Sequence, residues 1–177
     1  MPIWFMRTTL RNRSLYTLLG FTFLQLLAGG TPVAAQDNCK LVFDAMIKVF
    51  DAPTHAYVTI DINGKPQTSE SIYVGGLMYV KSNGTWGAGT PVKEMKELVE
   101  KNLQRNQTTC HYLNDEALNG EMAAVYTVHD VSPRSTSDSK TWISKSKGLP
   151  LRSETSLQGD KNHVSTRYEY GNVKPPM

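Results

Sequence analysis

Four histidines, two cysteines and an adjacent pair of acids are the residues whose types could most readily do chemistry in this chain. His55, His111, His129 and His163 have no His or Cys neighbour at metal-ligand spacing, and zinc sites draw their ligands from closely spaced pairs. No zinc site is expected. Asp115 and Glu116 are neighbours in an extended segment beside a turn, where successive side chains point apart, so they describe a solvated turn and not an acid–base pair. The sequence holds no Gly-x-Ser-x-Gly elbow, phosphate-cradling glycine loop or dinucleotide fingerprint. Asn83-Gly84-Thr85 and Asn106-Gln107-Thr108 fit the glycosylation pattern, which is short enough to arise by chance. The expectation is a chain that is not an enzyme, with no metal and no cofactor.

The cysteines point to a compartment. Arg7, Arg11 and Arg13 precede an apolar run from Leu15 to Leu27, and small residues follow, ending Pro32-Val33-Ala34-Ala35. A basic start, a short apolar core and a small-residue exit describe a cleavable secretory signal over residues 1–35. The apolar core is shorter than the ~20 residues that span a bilayer. Cys39 follows Gln36-Asp37-Asn38 instead of small apolar residues, so lipidation is not expected. A chain so exported meets an oxidising environment, periplasmic or secreted, where Cys39 and Cys110 should form a disulfide.

The leader also carries the charge. It holds three of the 19 Lys and Arg and none of the 16 Asp and Glu, so residues 36–177 carry 16 of each and no net charge. Without a dense basic run, nucleic acid is excluded as a partner. The length of 36–177 suits one domain.

Within that domain, Asp37 or Asn38 is placed to cap a helix from about Cys39 to Phe50, with Leu41, Val42, Ala45, Met46, Val49 and Phe50 at helical spacing. Strict alternation from Ala56 to Ile62 predicts a half-buried strand. Asn63-Gly64 is a two-residue hairpin turn, and Gly75-Gly76 and Asn83-Gly84 continue an antiparallel meander. Thr90-Pro91 opens a second helix whose apolar stripe is Met95, Leu98, Val99 and Leu103. Tyr112-Leu113 is a short β segment, Glu121 to Val131 a strand, and Ser132 to Lys140 an exposed loop. Trp142-Ile143 begins another strand, followed by Leu149 to Leu157 and His163 to Tyr170. The fold class is α+β, a curved antiparallel sheet of about seven strands, since such sheets curve or close to protect their edges. A cystatin-like fold shares the leading helix and meander. Ile60, Ile62, Ile72, Tyr73, Tyr79, Trp86, Trp142, Leu151, Tyr168 and Tyr170 are candidate inward residues. They either fill a core under the helices or line an apolar groove between sheet and helices.

The run Thr141-Trp142-Ile143-Ser144-Lys145-Ser146-Lys147-Gly148-Leu149-Pro150-Leu151-Arg152 resembles the Trp-Ile…Gly-Leu-Pro-Leu-Arg hairpin of lipoprotein-carrier-like periplasmic proteins, the LolA/LppX-like superfamily. The Tyr79 to Trp86 segment, the tyrosine-rich Thr166 to Tyr170 strand and the order of helices and strands are similar too. The resemblance spans most of residues 36–177 and is sharp in the hairpin. It implies an incomplete β-barrel with two helices over its concave face, and an apolar cavity that takes acyl chains. The candidate groove is then Ile60, Ile62, Ile72, Tyr79, Trp86, Met95, Leu98, Trp142, Leu151 and Tyr168. The family's lid-controlling arginine would fall on Arg105 or Arg152. The implied partner is a hydrophobic ligand or lipoprotein, with transient membrane contact. The alternative is a filled-core cell-envelope module that docks a protein.

Overall fold

The computed structural model describes residues 33–105, 107–133, 135–158 and 162–176. The leader assigned to residues 1–35 lies almost wholly outside them. Helix α1 (Val33–Lys48) is followed by strands β1 (Thr54–Ile62), β2 (Lys65–Val74), β3 (Leu77–Ser82), β4 (Thr85–Trp86) and β5 (Thr90–Pro91). Helix α2 (Val92–Arg105) then leads into β6 (Gln107–Leu118), β7 (Glu121–Val131), β8 (Thr136–Ser144), β9 (Pro150–Leu157) and β10 (His163–Tyr170). All ten strands join one antiparallel sheet in the order β4-β3-β2-β1-β10-β9-β8-β7-β6, with β5 also on β3. Among the described residues, β4 and β6 are its two open edges. The expected α+β architecture holds, a curved, unclosed sheet with helices over one face.

The sequence reading differs in four places. Helix α1 runs through Asp37 and Asn38 and so is not capped there. It stops at Lys48, where Phe50, Asp51 and Ala52 donate backbone hydrogen bonds to the carbonyls of Ile47 and Lys48. Leu41, expected on its apolar face, is 54% exposed. The segment taken as Tyr112-Leu113 is a twelve-residue strand. A bulge between Tyr112 and Asn114 breaks its alternation, which hides its period. The expected loop Ser132 to Lys140 is largely β8. Its hydroxyls pair across the sheet, Ser139 with Thr155 at 2.9 Å and Thr141 with Ser153 at 3.4 Å, and this makes a polar run compatible with a strand. Ten strands replace about seven because β4 and β5 are two-residue pieces of a broken edge strand.

Helix α1 lies on the β6–β8 part of the sheet. Val42, Ala45 and Val49 form its buried stripe, and Val42 and Ala45 pack on Tyr126 of β7 and Ile143 of β8. Because side chains alternate along a strand, this face also carries Ala124, Val128 and, through the pairing register, Tyr168 and Ala56. The opposite, outer face carries a second cluster of Ala123, Val125 and Trp142 with Leu118 and Leu151. Helix α2 touches α1 and is tied at its start by Val92 N–H to Gly76 O (3.0 Å) and by Lys96 to Asp51 (2.7 Å).

The expected disulfide is present: Cys39 of α1 bonds Cys110 of β6, 71 residues on. A loop of that length should restrict the unfolded chain by about 4 kcal/mol. The Cys39→Ala/Cys110→Ala variant should therefore unfold at markedly lower urea than wild type, by about that much in extrapolated free energy. Equal midpoints would show that the helix is held by packing alone.

Candidate functional site

The ten residues of the expected groove do not meet. Ile60 and Ile62 of β1 and Tyr168 of β10 share the helix-covered face, where Ile60 pairs with Val164, and Tyr168 with Ala56. Ile72, Tyr79, Trp86 and Trp142 lie on the outer face by register, and Leu151 packs there against the Trp142 cluster. Met95 is half-buried on α2, and Leu98 is 58% exposed.

On the outer face the aromatics are engaged by charge. Lys140 Nζ sits 4.5 Å from the Trp142 ring centroid and the Arg152 guanidinium 5.2 Å from it. Trp142 Nε1–H donates to Glu116 at 2.7 Å, and Arg152 also bonds Glu154. Arg152 is thus engaged on the outer face, opposite the one that α1 covers. The Arg105 side chain is outside the described residues. Further along, Arg167 stacks on Tyr57 at 4.2 Å, and Glu70 joins His55 at 3.0 Å and Lys81 at 2.8 Å. Asp115 and Glu116 point to opposite faces as expected, since Asp115 pairs with Ala124 and Glu116 with Ala123.

The helix-covered face over β1, β2 and β10 carries tyrosines. Burial pushes the phenols of Tyr73, Tyr168 and Tyr170 up from their ordinary value, and Tyr168 lies close enough to Tyr73 to feel its charge. Tyr170 O–H donates to Pro150 O at 2.5 Å, and Phe50 meets Tyr73 edge-on at 5.7 Å.

The apolar opening lies elsewhere, between α1 and strands β7 and β8. It is a groove of about 310 Å³. Leu41 and Ala45 form its helix wall, and Ala124, Tyr126 and Ile143 its floor. Ser144, Lys145 and Gly148 line it from the β8–β9 turn, and Lys48 reaches it from the end of α1. Two other depressions are of similar size: one of about 350 Å³ on the outer face, lined by His111, His129, His163 and charged residues, and one of about 370 Å³ where Leu118, Tyr170 and two of the expected groove residues, Leu151 and Tyr168, meet Glu121, Lys147, Arg167 and Glu169. None of the ten expected residues lines the α1 groove. Its sequence signal was Ala124 beside Tyr126, a small residue that leaves space under a helix, together with an apolar Leu41 one position off the buried stripe.

No family model matches the sequence, and no curated protein matches it. Solved structures do. The chain is similar to LprF from Mycobacterium bovis, at 10% identity and TM-score 0.43, over 80% of this chain and 98% of that one. It is similar to a chain of the MucA/MucB complex of Pseudomonas aeruginosa, at 13% identity and TM-score 0.46, over 78% of this chain and 59% of that one. A domain described as an outer-membrane lipoprotein-sorting protein domain, from Vibrio parahaemolyticus, matches at 8% identity and TM-score 0.34, over 79% and 94%.

The β8–β9 turn beside the groove is held by Glu121. Its carboxylate accepts from Ser144 Oγ, from Lys147 Nζ at 2.9 Å and from Ser146 Oγ at 2.8 Å, fastening the start of β7 to the β8–β9 turn. Gly148 takes φ +63° there, a conformation that favours glycine. The bond from Ser144, then those from Lys147 and Ser146, lower the Glu121 carboxyl from 4.5 to about 2. A carboxyl depressed on folding adds stability above its unfolded value, and that increment is lost as pH falls toward the folded value. The stability gap between wild type and Glu121→Gln should thus be full above pH 4.5 and shrink progressively toward pH 2 in urea titrations. A gap constant across that window would mean the carboxylate charge contributes nothing.

Proposed function

We propose that this chain is an exported, periplasmic binding or carrier protein for a hydrophobic ligand, working by burial and not by catalysis. The observation that carries this reading is the groove beside α1, whose floor of Ala124, Tyr126 and Ile143 and wall of Leu41 and Ala45 are apolar. At about 310 Å³ it sits at the small end of ligand pockets, a size for one chain and not several. Each methylene removed from water contributes about 0.8 kcal/mol, so ten would supply roughly 8 kcal/mol before ordering costs. Leu41 supports the reading because a large apolar side chain 54% exposed at the groove rim gains from a covering ligand. Among the described residues no helix is long and apolar enough to cross a membrane. A lipoprotein's acyl chain is one such ligand.

One observation favours the second reading, a docking module for an envelope protein. Strand β6 is a long open edge among the described residues, and its Tyr112 and Leu113 are 47% and 49% exposed. Edges of this kind accept an added strand.

Leu41→Asp places a carboxylate at the groove rim on an exposed part of α1, so the fold should survive. It should weaken uptake of an uncharged fluorescent probe such as Nile red by about tenfold, the loss of one apolar contact. Leu98→Asp, equally exposed on α2, should bind as wild type. Equal uptake by all three proteins would remove the groove from the site. No uptake by wild type, with a co-purifying protein released by altering Leu113, would favour the β6 edge.

A further inference from the structure

The groove has an unpaired charge beside the β8–β9 turn. Four ionised side chains stand around it: Asp44, Lys48 and Lys145 line it, and Asp115 adjoins Lys145. Three of these are already neutralised locally. Asp44 accepts from Lys40 at 2.6 Å on the same helix face. Lys145 bonds Asp115, which holds the Asp115 carboxyl below its ordinary value and the Lys145 ammonium above its own. The neighbouring Lys147 is taken by Glu121 at 2.9 Å. Lys48 is different. Among the described residues it has no carboxylate partner.

Its position is set by the turn. A Cβ added to Gly148 would meet Lys48 Nζ at 3.1 Å, so the ammonium lies against the bare backbone of the β8–β9 turn. That places one cation in the lining of the groove, whose one carboxylate, Asp44, is already held by Lys40. The turn's polar groups bond within it: Ser144 Oγ donates to Glu121 and accepts from Lys147 N–H, and Gly148 N–H donates to Ser144 O at 2.8 Å. Lys48 is also the last residue of α1, where a cation is favoured by the helix carbonyls. The carbonyls of Ile47 and Lys48 accept from Phe50, Asp51 and Ala52, and among the described residues the Lys48 ammonium has no hydrogen-bond partner.

We infer that the ligand of this groove is a single-chain anionic amphiphile, its chain along Ala45, Ala124 and Tyr126 and its carboxylate or phosphate head on Lys48. This inference rests on the groove being a binding site. The charge balance of the site supports it, because an anion there completes the last open ion pair, whereas a cationic head would meet Lys48 unshielded.

Displacement of bound Nile red by dodecanoate and by 1-dodecanol tests it, since the two share a chain and differ in charge. At pH 7.5 and low salt dodecanoate should bind about fivefold more tightly, the scale of an exposed charge-assisted pair. The preference should fall to near one in Lys48→Met, with dodecanol affinity unchanged, and should weaken as salt is raised. Lys65→Met, removing an exposed lysine outside the groove, should keep it. Equal binding of the two by wild type, or a preference that survives Lys48→Met, overturns the assignment of the head while leaving the groove as a site. Failure of both compounds to displace the dye, or of the dye to bind, overturns the groove reading and this inference with it. A free phosphate source is distinguished by adding inorganic phosphate: displacement of dodecanoate without displacement of the dye marks a head site that does not need the chain.

Discussion

The bond between Cys39 and Cys110 is the constraint on which the rest of the structure depends. Cys110 has no exposed surface, and its partner is near the middle of the one helix that packs broadly on the sheet. It fixes α1 over β6 at one end. At the other, the Thr54 hydroxyl donates to Ala52 O at 2.8 Å and the chain turns directly into β1. A helix so placed must rest on whatever β7 and β8 present. Val42 and Ala45 pack on Tyr126 and Ile143, and Ala124 beside them is small, so a groove is left along that packing. The groove is therefore a consequence of a small floor residue under a pinned helix.

A second dependence runs through the polar strands. Strands β8 and β9 carry few large apolar residues, yet they sit in the middle of one half of the sheet. Their helix-side positions are hydroxyls that bond each other, Ser139 with Thr155 and Thr141 with Ser153. Their outer positions are charges that neutralise each other and stack on Trp142. Each such pair contributes modestly. Together they satisfy a surface that apolar patterning would have assigned to a loop. This is why the sequence marks Trp142-Ile143 as a strand start and misses the residues from Thr136 onward.

The fold class, the disulfide, the hairpin turns and strands β1, β2, β3, β7, β9 and β10 were legible, because each rests on a local rule of period or turn chemistry. The groove was not, and part of the reason is parity. A two-residue turn at Asn63-Gly64 pairs Ile62 with Lys65, so even positions of β1 oppose odd positions of β2. Ile72 then faces with His55 and not with Ile60 and Ile62. That conclusion follows from the turn alone and was available in the sequence. Across β6 and β7 it was not. The bulge at Leu113 exchanges the faces, so that Cys110 and Tyr112 meet Val128 and Tyr126 while Asn114 meets Val125. Without the bulge, the turn at Asn119-Gly120 would put Cys110 on the outer face, where no helix could reach it.

The same bulge ties the disulfide to the groove. Only after the register shift do Cys110 and Tyr112 share a face with Tyr126, and Tyr112 then meets Tyr126 edge-on at 5.7 Å beside the groove floor. Tyr112 O–H in turn donates to Asp115 at 3.0 Å, and Asp115 holds Lys145 in the groove's lining. One chain of contacts thus runs from the edge strand to the turn beside the groove. A helix held covalently at that edge is restrained from swinging out as a lid.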